Sequence, residues 1–396
     1  MDRNETVGLL EPLLVSQDSR HRAELSDLAI RLAQASAGFR YSLPDGVVVA
    51  LADLVRSMNC YYSNLIEGHD THPVDIERAL KSDYSADSEK RILQKEAFAH
   101  ISVQQWIDRG ELKDSAISKN SLKEIHQRFY DLLPDELLWS QNPDTGERTK
   151  VISGQFRQRD VKVGQHIPIS PGAIPRFLDR FEDAYSNLGT MDSILAAAAA
   201  HHRLLWIHPF LDGNGRVARL MSYAMLRDEL DTGGIWSIAR GLARNESEYK
   251  QQLMNCDSLR RNDLDGRGHL SEQALAEFTA FFLKTCINQI DFMRRLVHPE
   301  QLRDRILVWA QEEHRAGKLP VQASNLLEAV LYRGQLPRGE VSQLLATGDR
   351  NARRITSTLI NQEVLVADSP RAPLRLVFPA RLASRWMPGL FPDKAD

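Results

Sequence analysis

The sequence predicts a mostly α-helical protein with two short strand regions. Apolar residues recur at three- and four-residue spacing through most of the 396 residues, as in helices that bury one face. β-branched residues bounded by turn formers occur in two stretches, residues 161–169 and 364–378. A hinge near His298 and Pro299 separates the last hundred residues from the rest. The hinge sets residues 298–396 apart as a separate unit.

The helices follow from the apolar spacing, taken in chain order. The predicted segments are residues 22–35, 44–66, 74–80, 88–107, 121–133, 173–186, 191–207 and 272–294. In the C-terminal region, helices at residues 323–332, 339–345 and 351–362 precede a strand pair that ends at Phe378.

Composition excludes several classes of protein. The formal charge of −3 gives no general attraction to nucleic acid or membranes. Cys60, Cys256 and Cys286 are odd in number and far apart, so they predict neither a disulfide framework nor a zinc site. The first 17 residues are acidic where a signal peptide is basic, and no apolar run is long enough for a membrane span. We therefore expect a cytoplasmic protein without a membrane partner.

Residues 208–219, His-Pro-Phe-Leu-Asp-Gly-Asn-Gly-Arg-Val-Ala-Arg, contain the groups that a polyphosphate site needs. Pro209 should end the preceding helix, which places His208 at the helix end facing the loop. Gly213, Asn214 and Gly215 favour a turn whose N–H groups bind an anion, next to the N-terminus of a second helix. We expect this helix to begin near Arg216.

Charged side chains complete this site. Arg216 and Arg219 are three residues apart and would lie on one side of the helix, where they can hold phosphates. Asp212 offers an oxygen ligand of the kind that Mg²⁺ takes beside nucleotide phosphates.

The segment resembles the signature of Fic-domain proteins, His-x-Phe-x-Asp/Glu-Gly-Asn-Gly-Arg-x-x-Arg, at every fixed position. The resemblance implies an N-terminal helical region at residues 1–110, then a helical Fic core with a β-hairpin flap at residues 111–297, before the C-terminal unit at residues 298–396. It also implies transfer of AMP from ATP to a Ser, Thr or Tyr hydroxyl of a protein. It implies that His208 is the general base, Phe210 anchors the loop and Asp212 binds Mg²⁺. It also implies that the nucleotide is bound by Gly213, Asn214, Gly215, Arg216 and Arg219.

A second motif, Ser63-Asn-Leu-Ile-Glu67-Gly68, lies far from the first. Ser63 and Glu67 are four residues apart and share a helix face. In the Fic family such a helix inhibits the enzyme, so the resemblance implies that Glu67 pairs with Arg219. His69 stands where the family often has Asn. We expect an autoinhibited enzyme in which Glu67 could also orient a water for removal of AMP, and the sequence does not rank the two reactions.

Two further regions carry weaker signals. Val161, Lys162, Val163 and Gly164 resemble the Fic flap, which pairs with an extended target segment; the alternative is an ordinary surface hairpin. Tyr249 lies where related chains place a tyrosine near the nucleotide base, although a helical tyrosine is as often a core residue.

The C-terminal element order resembles a winged helix-turn-helix domain with Arg350, Arg353 and Arg354 at the start of the recognition helix. Residues 331–390 contain nine arginines and four acidic residues. This charge favours DNA contact, while docking of a protein stays an alternative. The expected partners are a target protein with a hydroxyl side chain, which includes this chain itself, and DNA; a homodimer is left open.

Other activities remain as alternatives. The Fic fold could sense a nucleotide within a DNA-binding regulator, but a sensor needs no base at His208. Gly215 argues against the kinase-like Doc branch, which has a bulkier basic residue there. Transfer of UMP or phosphocholine stays open, because base specificity lies outside the motif.

Overall fold

The computed structural model describes residues 2–142 and 145–392 of a mainly helical chain with two compact units. The first unit comprises Met1–Ser36, Asn59–Thr232 and Ser237–Gln289, and the second comprises Ala37–Met58, Gly233–Trp236 and Ile290–Asp396. The predicted three-part division stays a prediction. No helix in the described ranges is long and apolar enough to cross a membrane.

Helices α1 to α11 come first along the chain. They are α1 (Arg22–Arg40), α2 (Asp45–Ile66), α3 (Pro73–Leu80), α4 (Ser88–Asp108), α5 (Lys119–Tyr130), α6 (Ile174–Tyr185), α7 (Thr190–Ile207), α8 (Asn214–Leu230), α9 (Ala239–Arg244), α10 (Glu246–Cys256) and α11 (Glu272–Leu296). The structure therefore contains every helix predicted before residue 298, with boundaries that differ by a few residues.

The core of the first unit lies around α7 and α8. The alanine run at residues 196–200 of α7 is almost completely buried, and small side chains let neighbouring helices approach closely. Pro209 follows α7, and the helix ends at Ile207 as the sequence predicts. The loop between α7 and α8 is anchored by Phe210, which is fully buried.

The hairpin of this unit differs from the predicted one. Strands β1 (Trp139–Gln141) and β2 (Arg148–Lys150) pair in antiparallel register. The strand prediction for residues 161–169 was wrong, because this segment forms only one antiparallel bridge, between Val163 and His166. Gly164 has a φ of 59°, which turns the chain, and Pro168 offers no N–H for a strand ladder.

The second unit contains the C-terminal elements. They are α12 (Pro299–Arg315), α13 (Ala323–Arg333), β3 (Gln335–Leu336), α14 (Val341–Leu344), α15 (Asp349–Asn361), β4 (Leu365–Val366), β5 (Leu374–Leu376) and α16 (Ala383–Trp386). The strands form an antiparallel sheet in the order β3-β5-β4. Trp309 and Trp386 pack edge to face in its core, with ring centroids 5.1 Å apart.

Candidate active site

The candidate general base lies at the C-terminal end of α7. His208 adopts a left-handed backbone conformation, with φ 51° and ψ 61°, which aims its side chain away from the helix. Its Nδ1 lies 3.3 Å from the carbonyl oxygen of Leu205, so Nδ1–H donates there and Nε2 keeps a free lone pair. Burial lowers the pKa of His208 to about 4, so the ring is neutral at pH 7.

A buried arginine outside the motif holds this backbone in place. Arg157 Nε donates to the carbonyl oxygen of His208 at 2.7 Å. Its terminal nitrogens donate to the carbonyl oxygens of Arg159 at 2.9 Å and Ile169 at 2.5 Å. The side chain therefore connects the loop after α7 to both ends of the 159–169 segment. Burial lowers the pKa of Arg157 to about 10, so the guanidinium stays charged at neutral pH.

The glycine turn opens directly into α8, which begins at Asn214, two residues before the predicted start. Gly213 has a φ of 82°, and a Cβ there would lie 2.7 Å from the Tyr130 ring, so only glycine fits. Asn214 is buried and exchanges two hydrogen bonds of 2.9 Å with the backbone of Phe210. Its side chain therefore closes the loop, and anion binding at the α8 N-terminus stays a prediction.

Asp212 is oriented by aromatic residues of α5. Tyr130 donates its hydroxyl to Asp212 Oδ2 at 2.6 Å. The His126 ring stacks between the rings of Tyr130 and Phe210, at centroid distances of 4.2 and 4.1 Å. His126 Nδ1 accepts the N–H of Gly154 at 2.9 Å, so the proton is on Nε2, which faces the Asp212 carbonyl oxygen.

The half-exposed Asp212 carboxylate fits a magnesium ligand, since one oxygen is held by Tyr130 and the other is available. In the described ranges no group of three or more His, Cys, Asp or Glu side chains could hold a metal ion. A cation here would therefore depend on nucleotide phosphates for its other ligands.

Arg219 is held by residues at the end of α2. Its Nε donates to Ser63 Oγ at 2.9 Å, and Nη2 donates to the Ser63 carbonyl oxygen at 3.1 Å and to Glu67 Oε1 at 2.5 Å. Burial disfavours the charged carboxylate, but Arg219 and Arg216 hold the pKa of Glu67 below its usual value. The structure thus brings Ser63 and Glu67 together with Arg219, which lies more than 150 positions later in the chain.

Arg216 takes a different partner from the one that its position in the motif suggests. Its Nη1 donates to Glu96 Oε1 of α4 at 2.9 Å, and its guanidinium lies over the Phe129 ring. Glu96 also contacts His69, through Oε2 and Nδ1 at 2.7 Å. In this structure both motif arginines therefore pair with carboxylates of the chain itself.

Tyr249 is buried, and its hydroxyl lies 2.7 Å from His201 Nε2. Burial raises its pKa to about 12, and the positive charge of Arg219 opposes this shift. Stacking on the nucleotide base stays a prediction, and the ring now packs against the helical core beside Arg219.

The predicted flap residues face a groove that contains His208. A cavity of about 440 Å³ is bounded by the β1–β2 hairpin, by Val161, Lys162 and Val163, and by His208 at one end. The flap segment is therefore next to the candidate base, although it is not a regular strand. Gly164, with its positive φ, forms the turn beside this groove.

The profile of the Fic/DOC family matches residues 116–226, which contain α5, the groove, α7 and most of α8. The chain therefore contains a Fic/DOC region over these residues. The protein adenylyltransferase Fic of Drosophila erecta is 26% identical over 219 residues, or 55% of this chain and 38% of that protein. The Drosophila willistoni protein of the same name is 29% identical over 170 residues, or 42% and 31%. The chain thus spans about a third of the length of these relatives.

Among solved structures, a Fic family protein from Desulfovibrio desulfuricans G20 aligns with 88% of this chain and 96% of its own, at 15% identity and a TM-score of 0.49.

Several site residues were not identified from the sequence. His126, Tyr130, Glu96 and Arg157 reach the motif from separate elements, so no local spacing joins them to it. The four-residue spacing of His126 and Tyr130 on one helix face was the available signal.

Proposed function

We propose that the chain is a protein adenylyltransferase that moves AMP from ATP to a Ser, Thr or Tyr hydroxyl and is inhibited by Glu67. The observation that carries the proposal is the placement of His208. Its Nδ1 lies 3.3 Å from the Leu205 carbonyl oxygen, which can only accept, so Nε2 is left as the acceptor, and the residue borders the groove that the flap residues line. The adenylyltransferase names of the Drosophila relatives support the same reaction.

The proposed reaction begins with a target hydroxyl in the groove. Its oxygen attacks the α-phosphorus, the bond from that phosphorus to the bridging oxygen breaks, and pyrophosphate leaves. His208 Nε2 takes the hydroxyl proton and later releases it to solvent. The negative charge of bound phosphates raises the pKa of His208 from its low value, which makes the ring a better base when substrate is present.

The phosphates would lie on the α8 N-terminus near Gly213, with Arg219 as the ligand of the terminal group. Asp212 would hold Mg²⁺, which supplies neutralisation of phosphate charge. Glu67 prevents this arrangement because its carboxylate binds the Arg219 guanidinium. A bound nucleotide then lacks one positive partner and is poorly aligned for attack.

Removal of AMP from a modified target is a second candidate reaction at the same site. The Glu67 carboxylate lies over the glycine turn, since a Cβ on Gly215 would be 2.6 Å from Glu67 Oε1. A carboxylate at this position could orient a water toward the α-phosphorus, which makes Glu67 a positive requirement for the reverse reaction and an obstacle to the forward one.

Incubation of the Glu67→Gly chain with Mg²⁺ and labelled ATP, UTP or CDP-choline tests the proposal. We expect label from ATP on hydroxyl side chains, read by mass spectrometry, and its loss in Glu67→Gly/His208→Ala. Labelling that persists without His208 would place the base elsewhere. Hydrolysis of AMP-modified protein by the unaltered chain alone would favour the reverse reaction.

We also propose that α15 contacts DNA as the recognition helix of a winged helix-turn-helix domain. Arg350, Arg353 and Arg354 are exposed, while Ala352 and Ile355 are buried against the unit. Gel shifts of the full chain at several salt concentrations test this role. Binding that weakens with salt and with Arg353→Gln supports it, and no binding to any duplex at low salt would favour docking of a protein.

A further inference from the structure

We propose that His69 and Glu96 are positioning residues of the inhibitory segment, residues 63–69: the His69 imidazolium pairs with Glu96, and this pair holds Glu67 against Arg219. The inference rests on the proposed inhibition by Glu67 and makes that inhibition depend on a proton bound to His69. His69 is the position at which this chain departs from the motif that it resembles.

The contact centres on a fully buried carboxylate. Glu96 has no exposed surface, and its two oxygens bind Arg216 at 2.9 Å and His69 at 2.7 Å. Arg216 therefore compensates one side of the buried carboxylate, and a protonated His69 donates a charged hydrogen bond to the other.

The backbone turn transmits the contact from His69 to Glu67. The N–H groups of Glu67 and His69 both donate to the carbonyl oxygen of Asn64, at 3.0 and 2.9 Å. Gly68 closes the turn with a φ of 86°. An anchor on the His69 side chain therefore restrains Glu67, which is two residues away on the same closed turn.

The charged groups around His69 fix the direction of the pH dependence. Glu96 of α4 faces the ring, with Arg216 of α8 and Glu67 of α2 nearby. The hydrogen bond to Glu96 raises the pKa of His69 more than burial and Arg216 lower it. The inhibited state therefore binds this proton more tightly than a released segment does. The contribution of His69 to inhibition is fully present below the usual histidine range and is lost as pH rises through the raised pKa.

Hydrogen exchange of the full chain measures the restraint without any enzymatic step. We expect protection of residues 63–69, corrected for intrinsic exchange, to fall as pH rises from 6 to 8, by up to about tenfold per pH unit. His69→Asn and His69→Gln can still form a hydrogen bond to Glu96 but cannot bind the proton, so both should lose this dependence. His72→Asn is the matched control, since His72 is exposed and caps α3, a role that Asn can fill.

Protection that is independent of pH in the unaltered chain, or a dependence that survives in both His69 variants, would overturn the proposal. Transfer provides a second readout: the rate of the unaltered chain relative to Glu67→Gly should rise over the same interval, and should be flat in His69→Asn. If Glu67→Gly transfers nothing, the proposed function fails, while the exchange experiment still decides whether His69 holds the segment.

Discussion

Replacement of Arg157 by methionine should weaken both the fold and the proposed transfer reaction. Methionine keeps much of the aliphatic stem but removes the hydrogen bonds to the carbonyl oxygens of Arg159, Ile169 and His208. At about 1 kcal/mol net for each, the three bonds contribute about 3 kcal/mol to the free energy of unfolding. Arg157→Lys keeps a charge that can reach one or two of these carbonyls and should lose about half as much.

The effect on transfer follows from the conformation of His208. Its left-handed backbone, with φ 51°, costs roughly 1–2 kcal/mol, and Arg157 binds the carbonyl oxygen that fixes it. Without the hydrogen bond from Arg157, the His208 ring should leave its position beside the groove in most folded molecules. The transfer rate of the folded protein should therefore fall about 10- to 30-fold.

Urea unfolding and single-turnover AMP transfer in the Glu67→Gly background measure the two effects separately. Arg109→Met is the matched control, because Arg109 is exposed and its ion pair with Glu111 is a weak surface contact, with 3.9 Å between Nη1 and Oε1. The expected loss in the free energy of unfolding is about 3 kcal/mol. An Arg157→Met chain whose free energy of unfolding lies within about 0.5 kcal/mol of the parent, and whose transfer rate is unchanged, would refute the reasoning.

Two further predictions concern Asp212 and His208. Tyr130→Phe removes the hydroxyl that donates to Asp212, so the Mg²⁺ concentration for half-maximal transfer should rise about tenfold. Tyr41→Phe is the exposed control. A Tyr130→Phe chain with the same Mg²⁺ requirement as this control would contradict the prediction. In the absence of nucleotide the pKa of about 4 keeps His208 neutral. The transfer rate at low ATP should therefore not change between about pH 6 and 8 through titration of His208. It should fall only as His208 is protonated, toward pH 4. A rate at low ATP in Glu67→Gly/His69→Asn that still rises through pH 6.5 would show that His208 titrates normally.

The sequence predicted those parts of the site that depend on local rules. Pro209 ends α7 and leaves His208 at the helix end, and Gly213 has the positive φ that a tight turn requires. The contact between Glu67 and Arg219 follows the family resemblance, and the structure places the two atoms 2.5 Å apart.

Residues that reach the site from distant elements were outside the scope of local rules. Glu96 and Arg157 are ordinary charged residues in the sequence, and only burial next to Arg216 and His208 gives them a role. The strand expected at residues 161–169 failed because alternation of apolar residues does not show whether a partner strand is present.

The most direct test of the central claim is the AMP transfer rate of Glu67→Gly against the unaltered chain at saturating ATP. Loss of a charged hydrogen bond of about 1.5–3 kcal/mol frees Arg219, so we expect a rate at least about tenfold higher. The exposed control Glu111→Gly should change nothing, and the increase should vanish when Arg219→Ala is added. Equal rates for Glu67→Gly and the unaltered chain would contradict the account.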